Sequence, residues 1–483
     1  MNNEKSSSLN KTAIKSGSSY LLSNILLRSS ALLTAPIFTR LLSTSDYGIA
    51  GNFAAWLSIG LVIVGLGLPY SIGNAKIDFP SEFNKYLASI QILGSIVGVS
   101  VLLLAILFRV QLSEWMELDQ YLVVMLFVYL LFLPSVVFSQ ERYKFLLLYK
   151  ENIYISIFST LGSIVFCLIF ILYVFSEERY YGRIIGLILP LFLMGVFFYN
   201  KILRDGWSTN IRKYWSYALK ISVPMIPHAL AMVVLDQMDR IMIIKICGRS
   251  VAGLYSFGYG YAILILIFSN AVLQAYNPWL YISYLKNDIK AIKTSNMVIT
   301  YVMCILTVIV VSMAPEALKL LGSRSFWDAK WVIAPIAAGA LFQYVYNTYA
   351  SLELYHKKTT VIAIGSVLAA IINYALNSMF IPVFGYVAAA YSTFASYFVL
   401  ALFHRYACQK VCKKQVYDDK YVFAVTIFTA VISLLITQLY EYFFLRYLLL
   451  VVLLLIVCFS QIKRIKTLYN LLSSKNRNFD TLK

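Results

Sequence analysis

Charged residues are few in this 483-residue chain, and a handful of them sit inside or at the ends of long apolar runs. Arg28 lies in the middle of SSYLLSNILLRSSALLTAPIFTRLLSTSDYG, Ser18–Gly48. With a helical rise of about 1.5 Å per residue, that is roughly half way across a hydrocarbon core about 30 Å thick. A charge at that depth costs at least about 2.5 kcal/mol unless it faces water or protein. Gly17, Tyr20, Asn24, Arg28, Ala31 and Ala35 recur at helical spacing and share one face. The face suits either a polar interior or an Arg paired with an acid in a packed bundle. Arg40, Arg240 and Lys245 stand near the ends of apolar runs. They are candidates to hold an anion, phosphate above all, because guanidinium donates in a bidentate fork. The alternative is that they snorkel to the interface.

A second group lies in SVPMIPHALAMVVLDQMDRIMI, Ser222–Ile243. His228, Met232, Asp236 and Asp239 fall on one face of a helix there. Histidine titrates near neutrality, so His228 is a candidate switch. Asp236 or Asp239 could pair with Arg28 or Arg240 in one state and take up a proton or Na⁺ in another. Pro224 and Pro227 interrupt the same run and predict a bend or break, hence a hinge. Amides form further stripes: Gln343, Asn347 and Ser351, then Asn373 and Asn377. Such groups suit sugar hydroxyls; they are also common glue between membrane helices. No catalytic constellation is present. The three histidines, His228, His356 and His404, are dispersed, no phosphate-binding G-x-x-x-x-G-K-[ST] loop occurs, and the six cysteines form no C-x-x-C pair. Neither an enzyme nor a bound cofactor is expected, and any driving force is expected from a gradient of H⁺ or Na⁺ or from consumption of a product on the far side.

The elements that must position these residues are membrane helices. The composition is 60% hydrophobic and 13% charged, and mean hydropathy is +0.75. Apolar runs of about 20 residues recur throughout and predict an all-α polytopic membrane protein with about 14 transmembrane helices. The net charge of +19 is distributed unevenly. Most Lys and Arg fall at the two termini and in alternate connections. Basic loops stay in the cytoplasm, so both termini are expected there, and the excess serves topology and anionic lipid rather than nucleic acid. The expected organisation is a cytoplasmic tail over 1–17, a first lobe over 18–199, a cytoplasmic connection over 200–214, and a second lobe over 215–407. Two further helices with a preceding basic loop occupy 408–462, and a cytoplasmic tail 463–483.

Internal repetition supports two lobes of six helices each. Arg40, Ser45 and Gly48 match Lys245, Ser250 and Gly253, and Tyr180–Gly186 (YYGRIIG) matches Val383–Ala389 (VFGYVAA) at nearly the same offset, roughly 200 residues. Because the repeat spans six helices, the lobes share orientation about an axis along the membrane normal.

TRLLSTSDYG at Thr39–Gly48, the run Ser222–Ile243, GRSVAGLYSFGYG at Gly248–Gly260 and IPVFGYVAAAYST at Ile381–Thr393 resemble bacterial polysaccharide flippases of the Wzx type. These belong to the multidrug/oligosaccharidyl-lipid/polysaccharide exporter (MOP) superfamily. The resemblance implies a MATE-like V-shaped architecture of two six-helix lobes plus two C-terminal helices. It implies a flippase in the bacterial inner membrane that moves undecaprenyl-diphosphate-linked oligosaccharide repeat units to the periplasmic leaflet, for O-antigen, capsule or exopolysaccharide. Membrane lipids, a polysaccharide polymerase and a chain-length regulator are the implied partners. An ion-coupled multidrug exporter and a lipid II flippase are the alternatives within the superfamily, and a membrane glycan polymerase the alternative outside it. Against the first stands Arg28, which would repel cationic drugs. Lipid II flippases carry several Arg in their first helix, against Arg28 alone before Arg40 here. Against the polymerase stands the absence of a long loop.

Overall fold

The computed structural model describes residues 34–207 and 211–455. Regular structure among the described residues is entirely helical. Eleven helical spans are long and apolar enough to cross a membrane, and the chain is a multi-pass membrane protein. The expected total of about 14 is compatible with this. The first span lies largely outside the described residues. Lys330–Tyr355 has the length but carries Gln343, Asn347, Ser351 and Glu353, and Phe443–Leu455 is apolar but shorter. The chain forms two compact units, one ending at Ser256 and the other starting at Phe257.

The first unit begins with α1 (34–41), α2 (Thr44–Gly65), α3 (Pro69–Asp78), α4 (Phe83–Leu107) and α5 (Arg109–Met116). It continues with α6 (Gln120–Phe145), α7 (Tyr149–Ile169, ending in a π turn at Phe170–Val174), α8 (Arg179–Gly206), α9 (Ile211–Ser222), α10 (Ile226–Cys247) and the start of α11 (Arg249–Ala262). Ser43 starts α2 with a capping box: its hydroxyl accepts from the Asp46 amide at 3.1 Å, and the Asp46 carboxylate accepts from the Ser43 amide at 3.0 Å. Leu122, Leu126 and Leu130 on α6 build the core with Phe53 and Trp56 on α2 and Ile184 on α8.

Two spans of this unit are interrupted. After α2 the chain turns through Leu66 and Gly67, both at positive φ (46° and 63°), before Pro69 opens α3. After α9, a 3₁₀ turn at Val223–Met225 contains Pro224, and Pro227 sits in the first turn of α10. Proline cannot donate to the helical ladder, so the break falls where the paired prolines predict it. The two breaks meet: a Cβ at Gly67 would lie 3.1 Å from the Ser222 carbonyl oxygen and 3.6 Å from Ile226.

The second unit holds the rest of α11, then α12 (Leu264–Leu285), α13 (Ile289–Ser312), α14 (Ala314–Leu321) and α15 (Lys330–Tyr355). α16 (Thr359–Phe384), α17 (Tyr386–Cys412), α18 (Asp419–Ile436) and α19 (Phe443–Leu455) complete it. α15 is buried nearly all round and forms its centre, with Ala334, Ala337, Ala338 and Gly339 giving close access to α17. A buried Arg446 fastens α19: it donates to Glu316 on α14 and, at 2.6 Å, to the Tyr440 carbonyl. Nearby, Lys330 pairs with Glu441 at 2.6 Å and holds that carboxyl below its usual range.

The repeat-matched glycines Gly182 and Gly385 do different work. Gly385 has φ 69° and ends α16, whereas Gly182 lets α8 approach the backbone of Ile171.

Candidate functional site

In the first unit the site grows from two glycines spaced four apart. A Cβ at Gly182 would lie 2.8 Å from the Ile171 nitrogen, and one at Gly186 would lie 2.4 Å from the Cys167 nitrogen. Only bare backbone allows α8 so close to α7 and its π turn. Arg183, between these glycines, is thereby held against α7 and α1. Its guanidinium lies 3.7 Å from the centroid of the buried Phe38 ring and donates to the Cys167 sulfur at 3.6 Å. A cation over an aromatic face contributes about 0.5–2 kcal/mol, which fixes the group without neutralising it. Among the described residues, no carboxylate forms a salt bridge with Arg183.

Arg240 reaches the same place from α10. Its side chain folds back along its own helix and donates to the Asp236 carbonyl at 2.9 Å and to Gln237 Oε1 at 2.6 Å. Arg183 and Arg240 both act electrostatically on the hydroxyl of Tyr47 on α2. Thus α2, α8 and α10 bring two guanidinium groups near one phenol: Tyr47 packs with Phe38 and Cys167, which Arg183 touches, and Arg240 lies beside Gly51 of α2. That donor set suits an anion with several oxygens.

Asp239, one residue before Arg240, is buried and accepts from the Tyr255 hydroxyl, which ties α10 to α11. Asp236 and His228 are half-buried on α10. Lys245 is exposed in the last turn of α10. Arg40 is exposed and donates to the Pro36 carbonyl of its own helix at 2.5 Å. Arg28 and Asn24 lie outside the described residues. In the second unit, Asn347 is half-buried on α15, and its carbonyl accepts from Ser351 at 2.8 Å. Asn373 is fully buried, donating to Thr393 at 3.2 Å and accepting from Asn377 at 3.2 Å. Arg240 meets the Asp236 backbone carbonyl one turn back on its own helix, Arg183 and Tyr47 join the candidate site, and Asn373 has partners of its own on α16 and α17. Arg183 is the residue that sequence reasoning missed. Its signal was an Arg flanked by glycines in an apolar run, read only as part of a repeat.

The repeat partners Gly48 and Gly253 meet one another. A Cβ at Gly48 would lie 2.0 Å from the Arg249 carbonyl oxygen, and one at Gly253 would lie 1.9 Å from the Thr44 carbonyl oxygen. The contact is reciprocal, as expected when two copies of one motif cross. Thr44 and Ser250 share a hydrogen bond beside it.

The family model described as "Polysaccharide biosynthesis protein" matches residues 13–283. No curated protein matches the chain. Among solved structures, the fold is similar to an inward-facing multidrug resistance MATE family transporter of the MOP superfamily, at TM-score 0.63 and 13% identity, covering 81% of this chain and 96% of that one. It is also similar to the lipid II flippase MurJ in an inward closed conformation, at TM-score 0.62 and 16% identity, covering 94% and 99%. A MOP superfamily transporter from Pyrococcus furiosus gives TM-score 0.57 at 14% identity, covering 84% and 97%. At these identities the likeness establishes the fold.

Proposed function

Because this chain belongs to the polysaccharide biosynthesis protein family, we propose that it is a flippase for undecaprenyl-diphosphate-linked oligosaccharide repeat units. It carries them from the cytoplasmic to the outer leaflet of a bacterial cell membrane, by alternating access, for O-antigen, capsule or a related polymer. The observation that carries this reading is the convergence of Arg183 and Arg240 on Tyr47. A diphosphate cannot cross roughly 30 Å of hydrocarbon unaided. Fixed guanidinium groups offer it charge-assisted hydrogen bonds in place of water, while the lipid tail stays in the bilayer. Arg28, which lies outside the described residues, is a further candidate cation by its place in the first apolar run. The same cations disfavour cationic drugs as cargo. A lipid II flippase with a similar fold supports the lipid-linked class of substrate.

The break at Pro224 and Pro227 supplies the hinge. The crossing at Gly48 and Gly253 brings α2 and α11 into backbone contact. Both termini are cytoplasmic, and turnover is coupled to H⁺ or Na⁺. The test is flipping of a fluorescent lipid-linked oligosaccharide by the full-length protein in vesicles. Arg183→Ala, Arg240→Ala and Arg28→Ala should each lower the rate at least about tenfold, the loss of one charge-assisted contact of roughly 1.5 kcal/mol or more. The corresponding Lys variants should recover part of it. Wild-type rates in all three Ala variants would refute the cationic path.

A further inference from the structure

The second unit contains an acid–base pair that none of the preceding roles uses. Glu353 on α15 and His404 on α17 are both 0% exposed. His404 Nδ1 lies 3.0 and 2.9 Å from the two carboxylate oxygens of Glu353, so one proton sits between ring and carboxylate. The ring is clamped by Tyr346 on one face (centroids 5.4 Å apart, planes 28° apart) and by Phe403 edge-on. Its other nitrogen, Nε2, is buried with no hydrogen-bond partner among the described residues. Nε2 points at α16 where Gly365 stands: a Cβ there would lie 2.9 Å from it.

Burying a carboxylate and an imidazole in a membrane unit is costly, and two well-packed apolar side chains would serve stability as well or better. The orphaned Nε2 adds to that cost. Two features explain keeping such a pair. Glu353 stands two residues before the end of α15, beside the basic connection that carries Lys357 and Lys358. And the helix covering Nε2 presents glycine there, so a small movement of α16 relative to α17 would open the ring nitrogen to water.

We propose that Glu353 and His404 form the proton-binding site that couples this flippase to a proton gradient. The imidazole–carboxylate pair selects H⁺ over Na⁺, because its ring nitrogen holds a proton covalently and offers Na⁺ no oxygen. In the closed arrangement the pair holds one proton and carries one negative charge overall; uptake of a second proton at Nε2 neutralises it. When α16 parts from α17, Nε2 accepts a proton from water as Nδ1–H is released to the carboxylate, or the reverse, and the proton passes through the ring. The groups that face the pair are few. Cys408 and Cys412 on α17 act electrostatically with Glu353; beyond them lie Asp419 at the start of α18, Lys414 in the preceding loop and Tyr284 on α12. Asp419 is itself held by Tyr349 at 2.7 Å and Gln409 at 2.5 Å. α16 contributes no charged residue.

This inference rests on the transport reading, so its test has one arm that needs no substrate. The chain has three histidines. In ¹⁵N-histidine spectra of the full-length protein in bilayers, the His404 ring is assigned by its loss in His404→Gln. Its Nε2 signal should change protonation state between about pH 5 and pH 9, and Glu353→Gln should move that midpoint. A ring signal constant across the range overturns the proposal, whatever the substrate. In the second arm, a gradient of about one pH unit should drive up to about tenfold accumulation of lipid-linked oligosaccharide per coupled proton in wild-type vesicles. The double variant Glu353→Gln with His404→Gln keeps the volume and the hydrogen bond. It should lose accumulation altogether while gradient-free exchange stays within about twofold. Tenfold accumulation in that variant overturns the proposal. Absence of any oligosaccharide transport by wild type would instead refute the flippase reading, leaving the first arm to decide the proton site.

Discussion

Arg183 and Arg240 reach Tyr47 from different helices, and each is held by its own surroundings: one by an aromatic face, the other by its own helix backbone. A different residue-level device fixes the chain before the proline turn. Lys213 on α9 pairs with Glu82 at 3.0 Å, and the Tyr214 hydroxyl donates to the same carboxylate at 2.9 Å. The Lys213 hydrogen bond, then that of Tyr214, hold the Glu82 carboxyl below its usual range. With the folded value depressed, the tie is fully present above the ordinary glutamate range and is lost as the pH falls through the lowered value. Lys213→Ala should therefore raise the Glu82 titration midpoint, read from its ¹³C carboxyl signal, toward the ordinary value of about 4.3. An unchanged midpoint would show that Lys213 is not the cause. The histidine–glutamate pair between α15 and α17 was beyond sequence reasoning. Its members are far apart in the chain, and neither residue type nor spacing announces which helices will touch.

At the scale of elements, interruptions and close approaches do the positioning. α9 is fastened to α4 through Trp215, which donates to the Ser89 carbonyl at 2.7 Å, while α10 lies along α2. Gly48 and Gly253 set the crossing of α2 with α11. Cysteines at Thr44 and Ser250, whose hydroxyls already bond, should form a disulfide on mild oxidation. Transport should stop and return with reductant. Adding Gly48→Leu should cut the cross-link yield severalfold, since its Cβ would meet the Arg249 carbonyl at 2.0 Å. Undiminished yield would contradict the close crossing. This contact was half legible: the matched spacing marked both glycines as repeat partners. Whether the copies would meet depends on tertiary packing, which no local pattern carries. The proline break was fully legible, because the missing amide is a property of the residue itself. α15 was placed as a span, although its amides, tyrosines and Glu353 make it less apolar than the others. It tolerates them because it is surrounded by protein rather than by lipid.

For the molecule as a whole, an all-helical, multi-pass membrane fold followed directly from composition and run length. The family followed from soft motifs of small and apolar residues. The candidate site followed less well. Arg240 and Asp236 were marked by type and helical spacing, whereas Arg183 was hidden in a repeat motif, and Asn373 proved to have buried partners in Thr393 and Asn377. The central claim is that this chain flips a lipid-linked oligosaccharide, and mass analysis of lipid extracts from a strain lacking the protein tests it most directly. The account predicts accumulation of an undecaprenyl-diphosphate-linked repeat unit with loss of the surface polymer, both reversed by the wild-type chain but not by a chain carrying Arg183→Ala with Arg240→Ala. Normal surface polymer with no accumulated lipid-linked oligosaccharide in that strain would contradict it.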